Sequence, residues 1–112
     1  MEQKTDIAII GECLIELSSN GTLAESSNLN KFFGGDTVTT AVAVARLGGH
    51  PEYITKIGND GFSEFILSSL QKENIDTSLI TTNDEQNGMY IVSNAQDKKE
   101  ILYYKRKTAA NR

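Results

Sequence analysis

The sequence predicts an α/β protein: a parallel sheet flanked by helices, with a small antiparallel β-sheet attached. Three patterns carry that prediction. Strand-like and helix-like segments alternate from Asp6 to Leu70, which is the order of a parallel α/β unit. Each segment is closed by glycines or a polar turn. After Asn87 the pattern changes to two β-type runs around a polar turn, which is hairpin chemistry and not another βα unit.

Asp6 to Ile10 is a short apolar run closed by Gly11, expected as a buried strand of a parallel sheet. ECLIELSS stays apolar before the chain turns polar from Asn20 to Asn30, so this part reads as loop with one or two short strands. From Asp36 to Leu47, Val38, Ala41, Val42 and Ala45 fall at i, i+3, i+4 and i+7, with Asp36 or Thr37 as N-cap and Gly48-Gly49 as the stop. Pro51 to Ile57 is a β-branched strand closed by Gly58. Phe62, Phe65, Ile66, Ser69 and Leu70 repeat the helical period between the turn GNDG and the stop KENID. GMYIVSN and KEILYYKR then flank the turn NAQDKK. Two parallel strands and two helices leave large apolar faces uncovered, so the chain is expected to be the front piece of a longer protein.

With 112 residues, 38% hydrophobic and 23% charged, there is length for one modest core. Eleven Lys and Arg against 15 Asp and Glu leave a net charge of -4, which offers no attraction to a polyanion. Nucleic acid and membrane are therefore not expected as partners. The four apolar residues before Gly11 fall far short of a signal core or a membrane span, and a cytoplasmic protein is expected. Cys13, the single cysteine, has no internal disulfide partner and reads as packing, since no histidine or cationic pair lowers its pKa. His50 is the only histidine, so a metal site is not expected.

The stretch FFGGDTVTTAVAVARLGG, Phe32 to Gly49, is the candidate site. No lysine follows its glycines, which excludes a P-loop, and adjacent Gly34 and Gly35 do not make a dinucleotide fingerprint. Two readings stand. In one, the glycines let a ligand approach the amino end of a helix, where Asp36, Thr37 and Thr39 suit a polyol. In the other they form only a turn before an ordinary cap.

Gly34-Gly35, the segment ARLG and the later Gly58 resemble the first signature of the PfkB (ribokinase-like) carbohydrate kinases. GECLIEL, ENIDTSLI, NGMYIVSN and YYKRKTAA extend the resemblance over nearly the whole chain, most closely to the sugar-acid kinases. The resemblance implies the N-terminal part of a single ribokinase-like three-layer α/β/α domain, spanning residues 1–112, with lid strands within 12–33 and 87–106. It implies that the intact protein phosphorylates 2-dehydro-3-deoxy-D-gluconate at its 6-hydroxyl with ATP and Mg²⁺. It maps sugar contacts onto Gly35, Asp36, Thr37 and Thr39, onto Tyr90 of a Gly-x-Tyr strand, and onto Tyr104 and Arg106 of a Tyr-x-Arg. Thr39 stands where the family commonly has asparagine, and keeps one donor and acceptor on a shorter side chain.

Tyr104 and Arg106, two apart, are expected on one strand face, with Tyr103 and Lys105 on the other. An arginine fork suits a sugar carboxylate. Glu16 is either a further sugar ligand, as an acid is in relatives that take neutral sugars, or a charged strand end. Asn59-Asp60 reads as a helix entrance, and His50 has no assigned chemistry. The family's catalytic aspartate lies in a late Gly-Ala-Gly-Asp segment that does not occur here. The chain is thus expected to hold the sugar-binding portion without catalytic, nucleotide or metal residues, and to be inactive alone. The alternatives are a fructokinase-type or ribokinase-type enzyme, or a non-catalytic interaction fragment; lid strands also imply a possible homo-oligomer.

Overall fold

The apolar run at the start of the chain forms strand β1, Ile7–Ile10, and pairs in parallel with β4, Pro51–Ile57, so that Ile9 stands beside Tyr53. The computed structural model describes residues 6–95 and 98–109. Between β1 and β4 lie β2, Leu14–Ser19, β3, Asn30–Gly34, and helix α1, Asp36–Arg46; after β4 come α2, Ser63–Lys72, β5, Ile80–Thr82, β6, Met89–Ala95, and β7, Lys98–Tyr104.

Strands β1, β4 and β5 make a parallel sheet in that order. The third strand, β5, is not apparent in the sequence pattern. Its three residues Ile80-Thr81-Thr82 are too short to show a period, and they lie beside Thr55 to Ile57 only because α2 returns the chain there. Helix α1 packs against β1, β3 and β4. The core forms where these layers meet, with Ile9, Val38, Ala41, Tyr53, Ile57, Ile66 and Leu70 buried together. Val38 and Ala41 of α1, and Ile66 and Leu70 of α2, are the inward positions that the helical period marks. β1 is less buried than expected, because only Ile9 of its four residues is covered.

The start of α1 also differs from expectation. Its N-cap is Gly35, with no side-chain cap hydrogen bond, and Asp36 is already helical. The Thr37 hydroxyl is engaged deeper in the fold, at 2.8 Å from the Tyr53 hydroxyl. At the other end, Gly48 takes φ 94°, and the N–H of Gly49 donates to the Val44 carbonyl at 2.9 Å. Asn74, at φ 60°, turns the chain after α2. Arg46 Nε and Nη2 donate to the two Glu73 oxygens at 3.0 and 2.7 Å, linking the ends of the two helices.

The second sheet has the order β3-β2-β6-β7. The β2–β3 and β6–β7 pairs are antiparallel, while β2 and β6 run parallel. The sheet is therefore mixed, since β2 and β6 are joined through the whole α/β layer and not by a hairpin. The β6–β7 hairpin matches expectation; of its turn, Gln96 and Asp97 lie outside the described residues. One face carries Ile15, Leu17, Phe33 and Met89 onto the core, where the Phe33 and Phe65 rings meet edge-on at 6.4 Å. The opposite face carries a cross-strand row of Phe32, Glu16, Tyr90 and Tyr103.

Candidate functional site

The entrance of α1 and the end of the second sheet enclose an open cleft of about 440 Å³. One wall is Gly35, Asp36 and Thr39; the other is Tyr90 and Tyr103, with Glu12, Leu14 and Lys105 completing the lining. Each glycine has its own cause. A β-carbon at Gly34 would strike the Tyr90 hydroxyl, so glycine there lets the tyrosine lie against β3. Gly35 takes φ 119°, and a β-carbon on it would also come within 2.9 Å of the Glu12 carbonyl oxygen. The helix begins immediately behind this turn, and the amino end of α1 therefore forms part of the cleft.

Tyr90 stands at the centre of the sheet wall. Its hydroxyl donates to Glu16 Oε1 at 2.5 Å, and its ring lies 5.8 Å from that of Tyr103. Burial, then the hydrogen bond to the Glu16 carboxylate, push its pKa above the usual phenol range. Glu16 thus holds Tyr90. Thr39, at the other wall, donates its hydroxyl back to the Gly35 carbonyl at 3.1 Å and keeps its oxygen as an acceptor.

Lys105 closes one end. Its Nζ lies 3.1 and 3.4 Å from the two Glu12 carboxylate oxygens and 5.5 Å from the centre of the Tyr103 ring. Behind it the Glu12 backbone is fixed from the core. The Tyr53 hydroxyl donates to the Glu12 carbonyl at 2.7 Å, and the Thr37 hydroxyl lies 2.8 Å from the Tyr53 oxygen and donates to the same carbonyl at 3.1 Å. Tyr53 is fully buried, and that burial raises its pKa well above the phenol range. Thr37 therefore supports the cleft from behind and is not among its lining residues.

Of the residues singled out in the sequence, the structure brings Gly35, Asp36, Thr39 and Tyr90 together. It does not bring Tyr104 and Arg106 to them. β7 ends at Tyr104 and Arg106 sits in the following turn, where both line an adjoining concavity of about 330 Å³ with Asn87 and Met89. Tyr103 and Lys105 border both spaces. The sequence reading missed them because the face of β7 is set by its register, Tyr90 opposite Tyr103, which depends on the hairpin turn. Glu12 carried a weak signal in following Gly11 at a strand end. Cys13 is buried and its thiol is pushed up to about 12 by that burial, so it acts as packing.

Asn59-Asp60 is a helix entrance, as its sequence suggests. Asp60 Oδ1 accepts the Phe62 N–H at 2.9 Å, and the Asn87 backbone and side-chain N–H groups donate to Asp60 at 2.8 and 2.6 Å. No helix among the described residues is long and apolar enough to cross a membrane.

The chain matches the model of the pfkB family carbohydrate kinases over residues 4–112. It is 41% identical to a 2-dehydro-3-deoxygluconokinase of Dickeya dadantii over 96% of this chain and 34% of that protein. It is 38% identical to the enzyme of the same name from Escherichia coli K12, covering 93% of this chain and 34% of the relative. The chain spans about a third of the length of these curated relatives. Among solved structures, a sugar kinase of Pyrococcus horikoshii in complex with ATP superposes with a TM-score of 0.84, at 35% identity over 92% of this chain and 35% of that one.

Proposed function

The chain belongs to the pfkB family of carbohydrate kinases, and from that premise we propose that the intact protein transfers phosphate from ATP to the 6-hydroxyl of 2-dehydro-3-deoxy-D-gluconate. The observation that carries this is the convergence of the α1 entrance, the two tyrosines and one lysine on a single cleft. The similarity to two enzymes named for this substrate supports it. In this reading Asp36, Thr39 and the N–H groups of the first turn of α1 hold sugar hydroxyls, Thr37 keeps that turn in place, and Tyr90 and Tyr103 offer an apolar wall with polar tips. Lys105 in the cleft, with Tyr104 and Arg106 in the adjoining concavity, supplies positive charge for the sugar carboxylate. The second sheet acts as the lid over the sugar.

ATP, when bound, supplies the phosphoryl group. No lysine follows Gly34-Gly35 to make a P-loop, and among the described residues no three His, Cys, Asp or Glu side chains gather as metal ligands. We therefore assign nucleotide, Mg²⁺ and the proton-accepting aspartate to the part of the family fold that this chain does not span. The chain's own residues bind and orient the sugar.

A coupled assay of ADP formation by the intact protein tests the reading. Turnover is expected with 2-dehydro-3-deoxygluconate and far less with fructose or ribose, while residues 1–112 alone give none. A preference for a neutral sugar would overturn the substrate, and turnover by residues 1–112 would overturn the division of roles.

A further inference from the structure

Lys105 is the only cation among the described residues lining the cleft, and its charge is already taken by Glu12. The two partners differ in freedom. The Glu12 backbone is fixed by the buried Tyr53 hydroxyl, whereas Lys105 follows the last residue of β7 on a flexible four-carbon stem. Both side chains remain over a third exposed, 37% for Lys105 and 36% for Glu12, so separating them rehydrates two groups already in touch with water. An anionic ligand between the α1 entrance and the tyrosines reaches Lys105 only in competition with the Glu12 carboxylate.

We propose that Glu12 is an internal counter-ion that the carboxylate of the substrate displaces from Lys105, making this pair a determinant of selectivity for sugar acids over neutral sugars. The inference rests on the sugar-acid reading given above. Paired with Glu12, the ammonium stands over the Tyr103 ring at the edge of the cleft. A sugar acid replaces one carboxylate with another and loses little. A neutral sugar offers Lys105 no charge, so the pair stays closed and gives it no added affinity. No bond is made or broken in this exchange.

Calorimetric titration of the intact protein with 2-dehydro-3-deoxygluconate, and separately with fructose, tests this in wild type, Glu12→Gln, Lys105→Met and Lys105→Arg. Removing the competitor in Glu12→Gln is expected to tighten sugar-acid binding roughly two- to fivefold, the scale of an exposed ion pair. Lys105→Met is expected to weaken it at least about tenfold, with Lys105→Arg restoring most of the loss. For each variant the change in fructose affinity is expected to be smaller than the change in sugar-acid affinity. If wild type binds the sugar acid while Glu12→Gln gains nothing or Lys105→Met loses nothing, the exchange is overturned and the sugar-acid reading stands without it. If wild type binds fructose in preference to the sugar acid, both fall. The two variants are independent, so if Glu12→Gln misfolds, a Lys105→Met that loses nothing still overturns the exchange.

Discussion

At Gly35 the chain takes φ 119° and its α-carbon faces the Glu12 carbonyl, so a single methyl group there meets two penalties at once. Gly35→Ala is expected to lower stability by about 2 kcal/mol, the scale of one strained backbone residue, read from a urea transition at unchanged m. Gly34 is constrained differently, by the tyrosine that leans over it and not by its own torsion angles. Gly34→Ala should push Tyr90 away from Glu16, bringing its titration down toward the ordinary phenol value of 10.0; ultraviolet difference spectroscopy follows this. A glycine pair before a helix is legible as a place of close approach. What approaches was not, because Tyr90 and Glu12 come from distant segments. The same limit applies to Lys105 and Arg106: strand alternation stops at Tyr104, and the turn after it decides which cation meets the cleft.

The elements that were legible are those long enough to show a period and closed by a distinctive residue. Pro51–Ile57 has the expected bounds, and α1 and α2 bury the expected faces. The parallel neighbours β2 and β6 left no local trace, since their pairing depends on everything folded between them. Part of what holds that arrangement is polar. Buried Asn87, just before β6, accepts the Gly58 N–H at 2.8 Å and donates to Asp60 and Ser63, joining the β4–α2 connection to the second sheet. Asn87→Ala is expected to cost about 2 kcal/mol, because it leaves the Gly58 N–H without its acceptor. The variant also has a pH signature. Burial alone would raise the Asp60 carboxyl, but hydrogen bonds from Asn87 and from the Phe62 N–H outweigh it and hold it below its ordinary 3.8. A folded value below the unfolded one gives stability that is present above 3.8 and lost as pH falls through the folded value. Wild type should therefore lose stability more steeply than Asn87→Ala below about pH 4, as urea midpoints across the acid range would show. Equal slopes would mean that Asn87 does not hold the Asp60 proton equilibrium.

For the molecule as a whole, a radius of gyration of 15.0 Å with extents of 50 × 32 × 18 Å exceeds the value of about 13 Å expected for a self-standing domain of this length. The excess reflects two sheets that share one small core, with apolar groups left at the margins. Among the described residues β1 is an edge strand paired only with β4, and its Ile10 is 73% exposed beside a concavity of about 370 Å³ that Leu79 also lines. An apolar edge of this kind is uncommon in a self-contained protein, where edges are charged, bulged or covered. Relatives about three times as long provide chain that can cover it. The consequence is a substitution whose cost depends on context. In residues 1–112 alone, Ile10→Asp exchanges one exposed side chain for another and should change stability by no more than about 0.5 kcal/mol. In a chain of the relatives' length whose further residues pack on β1, the same change would bury a carboxylate among apolar neighbours and should cost at least about 2 kcal/mol. Urea unfolding of both forms, with and without the substitution, measures the difference directly. Equal costs in the two contexts would mean that the face at Ile10 stays open to water in the intact protein.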